Sequence, residues 1–183
     1  MKVKEIIIYF LIPLIIFSTP GCSAKTEQVP AAPANAKAVQ DFINGKKLAV
    51  KQIGFFGLIT VNGTKDVEWL DLAKEKDEIT TKAAGEEMGL VLQFINDTAV
   101  TIVKKGKQYT GTYTIDDKAG EAENEQPGIK LKISYADPDF GFGGTPMDVT
   151  YTYPVIGLDA KRIMLETPRT INRQKLITIM AEL

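Results

Sequence analysis

The sequence predicts an all-β fold: an antiparallel up-and-down β-barrel of about eight strands, with a short N-terminal helix. Three observations predict it. Between residues 89 and 182 apolar and polar residues alternate with a period of two in one short segment after another, the spacing that turns one side of a strand inward and the other to water. Turn signals such as Asn44-Gly45, Asn62-Gly63 and Asn96-Asp97 separate the segments at distances suited to antiparallel neighbours. No strands alternate with long amphipathic helices, as a parallel α/β sheet would require. Closing the sheet into a barrel removes the free edges that an open sheet must protect, and eight strands enclose space for side chains or one small ligand.

The chain opens with Lys2 and Lys4 and an apolar stretch, residues 6–17, interrupted by Pro13. This is a signal-peptide pattern, too short for the roughly 20 residues a membrane-spanning helix needs. Ser18-Thr19-Pro20-Gly21-Cys22 follows and resembles the lipobox of bacterial lipoproteins. The resemblance implies cleavage after residue 21 and acylation of Cys22 by palmitate-like chains, a lipid anchor in the membrane. A single cysteine cannot form an internal disulfide, which agrees with an acylated role. Ser23 is not the Asp that retains many such lipoproteins at the inner membrane, so the resemblance points to the outer membrane of the cell envelope. Residues 22–36 read as an Ala/Pro-rich tether, with Pro30 and Pro33 interrupting any helix, and residues 37–183 as the barrel domain.

Within that domain, residues 38–43 suggest a helical turn or two, stopped by Asn44-Gly45. Residues 46–53, 55–61 and 66–70 read as short strands, and a charged Lys-rich stretch, residues 71–84, carries a short helix around residues 72–78. Residues 89–95 and 98–103 form a hairpin about Asn96-Asp97, and Lys104-Lys105-Gly106-Lys107 turns the chain into an alternating strand, residues 108–115. Residues 116–126 are an acidic loop. Ile129, Leu131, Ile133 and Tyr135 alternate with polar residues, as do Val149, Tyr151 and Tyr153 before Pro154, and residues 162–166 and 175–182 complete the set.

A near balance of charges sets limits on function. With 22 Lys+Arg against 23 Asp+Glu and a net charge of -1, the chain lacks the cation excess that nucleic-acid binding uses. The absence of histidine removes Ser-His-Asp and Cys-His nucleophiles and the usual zinc and haem sites. Ser134 is the only serine of the domain, and Asp116, Asp117, Glu121 and Glu123 lie in a solvated loop where nothing would separate their pKa values. No enzyme, no cofactor and no metal site is expected. Asp137 and Asp139 begin like a calcium loop, but Pro138 and Gly141 break the ligand spacing.

Three stretches resemble the lipocalin-like domains of small bacterial lipoproteins, especially those of Bacteroidetes: residues 45–50, Leu92-Gln93-Phe94-Ile95-Asn96-Asp97-Thr98, and Gly111-Thr112-Tyr113-Thr114-Ile115. Lys47 stands where true lipocalins carry a tryptophan, which places the likeness with the looser lipocalin-like class. The resemblance implies an eight-stranded calycin-like barrel and an apolar ligand. From the residues themselves, Tyr109, Tyr113, Tyr135, Tyr151 and Tyr153 fall on the apolar faces of three strands, as candidate ligand contacts or as rings that fill the core or cap its ends. Residues 137–144, with Phe140 and Phe142 among three glycines, read as a loop that flaps over the barrel mouth, meets a protein partner or folds its rings down to plug the barrel. The expected function is therefore a lipid-anchored envelope barrel binding a small apolar or amphipathic ligand. Its alternative is a non-enzymatic interaction module, such as an envelope-anchored inhibitor, immunity protein or accessory subunit.

Overall fold

The computed structural model describes residues 29–61, 64–117, 128–142, 145–171 and 173–183, and the side chains of these apart from residues 57–61, 64–66 and 142. Cys22, Glu121 and Glu123, and the side chain of Phe142, lie outside the described residues. The elements are α1 (Ala36–Ile43), β1 (Lys47–Val61), β2 (Thr64–Trp69), α2 (Glu78–Met88), β3 (Val91–Phe94), β4 (Ala99–Lys104), β5 (Lys107–Asp116), β6 (Lys130–Phe142), β7 (Thr145–Leu158), β8 (Arg162–Ile171) and β9 (Gln174–Glu182). Every neighbouring pair from β3 to β9 is antiparallel, and β1 pairs with both β3 and β9. Eight strands thus close an antiparallel barrel, as the alternation predicts. The ninth, β2, folds back on the second half of β1.

The inner face is built from the alternating residues. Leu48, Val50 and Ile53 of β1, Leu92 and Phe94 of β3, Val100 and Ile102 of β4, Leu131 and Ile133 of β6, and Leu165 of β8 are all buried in one core. α1 seals the end of the barrel where β1 begins. Its N-cap Asn35 accepts a hydrogen bond from the Ala38 N–H at 2.9 Å, and Gly45, at φ +69°, takes the left-handed conformation that ends the turn after it. Val39, Phe42 and Ile43 then point into the core.

Four local expectations are corrected. The two segments expected at residues 46–53 and 55–61 form the single strand β1, because Gly54 lets β2 approach; a Cβ there would lie 2.6 Å from the Glu68 carbonyl oxygen. The helix expected around residues 72–78 lies later, at α2, because Asp77 caps it by accepting from the Thr80 N–H at 2.9 Å. Of the loop expected at residues 137–144, residues 137–142 are strand, since β6 continues to Phe142, which pairs with Thr145 of β7; residues 143–144 lie outside the described residues. Pro138 is tolerated there by the register shift between Asp137 and Phe142, where the ladder does not call on its missing N–H. The segment expected at residues 162–166 extends to Ile171, as β8 keeps pairing with β9.

Outside the barrel, Val67, Met164, Ile177 and Ile179 form a second apolar cluster on which Val29, Phe56, Trp69 and Ile156 pack. The chain before α1 runs over this side. The Leu158 N–H donates to the Ala31 carbonyl at 2.8 Å, and Pro30 sits so close to Gly157 that a Cβ there would lie 2.7 Å from the Pro30 oxygen. Among the described residues no helix is long and apolar enough to cross a membrane.

Candidate ligand-binding cavity

Period two explains the site. The inner rows of three strands begin apolar and end charged at the same end of the barrel, opposite α1: Val100, Ile102 and Lys104 on β4; Ile133, Tyr135 and Asp137 on β6; Ile163, Leu165, Thr167 and Arg169 on β8. Below the charges a cavity of about 440 Å³ remains. Leu90, Leu92, Ile102 and Ile133 line its floor, Tyr135, Tyr151 and Tyr153 its wall, and Lys104, Lys105, Asp139, Phe140, Arg169, Glu86 and Glu87 its rim. α2 supplies the two glutamates from across the opening.

Asp137 organises one side of the rim. Its side chain is only 1% exposed, and its Oδ2 accepts from Lys104 Nζ at 2.8 Å, from the Tyr135 hydroxyl at 2.8 Å and from the Tyr151 hydroxyl at 2.6 Å. The Asp139 N–H donates to its other oxygen at 2.9 Å. Burial alone would discourage the charge, but these donors outweigh it and hold the carboxyl well below the usual carboxylate range. The two tyrosines respond in the opposite direction. Burial first, and then donation to Asp137, push both hydroxyls above their ordinary pKa, so they remain protonated donors. Their rings stack at 5.5 Å, with Tyr109 5.7 Å from Tyr135 and Phe140 6.2 Å from Tyr151.

An unbroken line of ion pairs crosses the mouth. Lys104 also reaches Asp139 at 3.2 Å; Lys105 binds Asp139 at 3.0 Å and Glu86 at 3.7 Å; Arg169 binds Glu86 at 2.8 Å. Hydrogen bonding from Lys105 and then Lys104 lowers the Asp139 pKa, and hydrogen bonding from Arg169 lowers that of Glu86. Glu87 differs from its neighbours. Its side chain is 15% exposed, and its carboxylate accepts no hydrogen bond among the described residues and lies 3.7 Å from the Arg169 Nε. Burial dominates and raises its pKa. The Tyr153 hydroxyl likewise has no hydrogen-bond partner among the described residues, and burial followed by the Glu87 charge pushes its pKa up.

Of the residues singled out in the sequence, Tyr135, Tyr151, Tyr153 and Phe140 line the cavity. Tyr109 stands beside Tyr135 but outside the lining. Tyr113 belongs to the other end: Gln40 Nε2 donates to its hydroxyl at 2.8 Å, its O–H donates to the Asn96 carbonyl at 2.8 Å, and Phe94 meets its ring edge-on at 4.9 Å. Phe140 is 57% exposed at the rim, on a strand instead of a loop. Asp137 and Asp139 are engaged by the two lysines. Sequence reasoning missed Lys104, Lys105, Arg169, Glu86 and Glu87; the readable signal for the first and third was the charge that ends each inward row. Comparison with family models, with curated proteins and with solved structures finds no match for this chain.

Proposed function

We propose that this barrel binds a small amphipathic molecule and is held at the cell envelope, at the outer membrane, by an acylated Cys22. The cavity of about 440 Å³ carries the ligand reading. It falls within the 300–1,000 Å³ range of small-molecule sites, and it joins an apolar floor to a few convergent polar groups. The closed eight-stranded barrel supports the likeness to lipocalin-like lipoprotein domains, and the basic, apolar and Cys22 sequence of residues 1–22 supports the anchor. Because Val29 to Ala31 already lie against the barrel, the chain from Cys22 to Val29 could span at most about 25 Å, so an anchored barrel would stay close to the bilayer.

Native against denaturing mass spectrometry of the full chain, purified from its own cells, tests the ligand reading. Excess mass lost on denaturation is the expected result; a bare chain that also takes up no added amphiphile overturns it. Cys22→Ser should move the protein from the membrane fraction to the soluble one, and an unchanged distribution would refute the anchor. Phe140 and Met147, both more than half exposed on the β6–β7 hairpin, favour a second reading as a protein-contact module. Under that reading, Met147→Ala, at a residue outside the cavity lining, weakens capture of an envelope partner and leaves amphiphile uptake unchanged.

A further inference from the structure

We infer that the ligand carries a hydrogen-bond-donating, cationic head, an alkyl or aryl amine, read by Glu87 and Tyr153 with its apolar part on Leu90, Leu92, Ile102 and Ile133. This inference rests on the ligand-binding reading above and deepens it.

The argument is one of pairing. Around the mouth the carboxylates of Asp137, Asp139, Glu86 and Glu87 face Lys104, Lys105 and Arg169, with Lys82 attracting Glu86 from along α2. Each facing cation is already committed. Lys104 lies between Asp137 and Asp139, Lys105 between Asp139 and Glu86, and Arg169 closes on Glu86 at 2.8 Å. A carboxylate or phosphate ligand would find the Tyr153 hydroxyl as the donor without a partner among the described residues, but would stand beside the Glu87 carboxylate, which repels it. Glu87 is the carboxylate that accepts no hydrogen bond among the described residues: its ion pair is the 3.7 Å contact with Arg169 Nε, a cation already hydrogen-bonded to Glu86, while Lys104 attracts it from further off and Glu86 repels it. The Tyr153 hydroxyl, on a residue 8% exposed, is the other polar group in the cavity wall without a partner among the described residues. An ammonium has N–H donors for both and a positive charge for Glu87, while four apolar side chains receive its tail. The same arrangement makes Glu87 costly without ligand, since a buried carboxylate lacking hydrogen bonds is unfavourable.

Isothermal titration with decylamine, decanol and decanoate tests this on the full chain. Decylamine should bind at least about 10-fold more tightly than decanoate, with decanol between, as expected for one charge-assisted hydrogen bond. Glu87→Gln should weaken decylamine by about 10-fold, leave decanol within about 2-fold, and raise the melting temperature of the ligand-free protein by about 1–3 °C. Tyr153→Phe should weaken decylamine and decanol alike. Decanoate binding as tightly as decylamine overturns the inference while leaving the ligand-binding reading standing. Failure of all three to bind overturns both. The ranking in the unmutated protein needs no variant to fold.

Discussion

α1 and α2 close opposite ends of one barrel by opposite means. α1 buries Val39, Phe42 and Ile43 and adds a hydrogen-bonded pair through Gln40 and Tyr113, so its end is dry and packed. α2 buries only Thr80 and Ala84, leaves Ile79 and Met88 exposed, and is fixed across the mouth by Glu86 and Glu87 against Lys105 and Arg169. Packing fills space, whereas ion pairs span it. The second kind of closure leaves room beneath, and its strength depends on the solvent.

The largest expected effect lies at the packed end. Phe42→Ala should cost about 3–5 kcal/mol in denaturant unfolding, the usual range for emptying an aromatic site in a core, whereas Ile79→Ala on α2 should change stability by less than about 0.5 kcal/mol. Near-equal costs would break the contrast. Asp137→Asn comes next, at about 3 kcal/mol, because Lys104 and two tyrosine hydroxyls lose a shared buried acceptor. Its pH dependence sharpens the assignment. The folded pKa of Asp137 is depressed, so its contribution is complete above the unfolded carboxylate value of about 3.9 and is lost as pH falls below that. The gap between the unmutated protein and Asp137→Asn should therefore shrink in acid; a gap constant down to pH 3 would refute the charged network. Tyr113→Phe should cost about 1 kcal/mol for its bonds to Gln40 and Asn96, with amphiphile binding unchanged. Smallest in stability is salt. At 1 M, where the screening length is about 3 Å, amide exchange should accelerate in α2 and stay constant in α1.

The strands were legible where one face is buried and the other wet. Residues 108–115, Ile129 to Tyr135 and Val149 to Tyr153 carry the period of two that β5, β6 and β7 obey. α1 was legible through its apolar face and Asn44-Gly45. α2 was placed too early because it has no apolar stripe; its position follows from the Asp77 cap and from charges that act across the barrel mouth. The extension of β6 past Pro138 was hidden because proline and glycine read locally as a loop, while the strand is maintained by its partner β7. Alternation revealed that five tyrosines face inward, yet said nothing about height along the axis, which separates Tyr113 from Tyr135, Tyr151 and Tyr153. The rim is the least legible part. Glu86, Lys105, Asp139 and Arg169 meet only because closure brings distant turns together.

The strap of Val29, Pro30 and Ala31 also gives the molecule a mechanical polarity. A load applied at the N-terminus reaches one hydrogen bond to Leu158 and the apolar seat of Val29 first, and these yield by peeling one at a time. Only afterwards does tension arrive at β1, whose ladders to β3 and β9 must be sheared together. The strap acts as a fuse: pulling on the N-terminal chain frees a short length of it before the barrel and its cavity are strained.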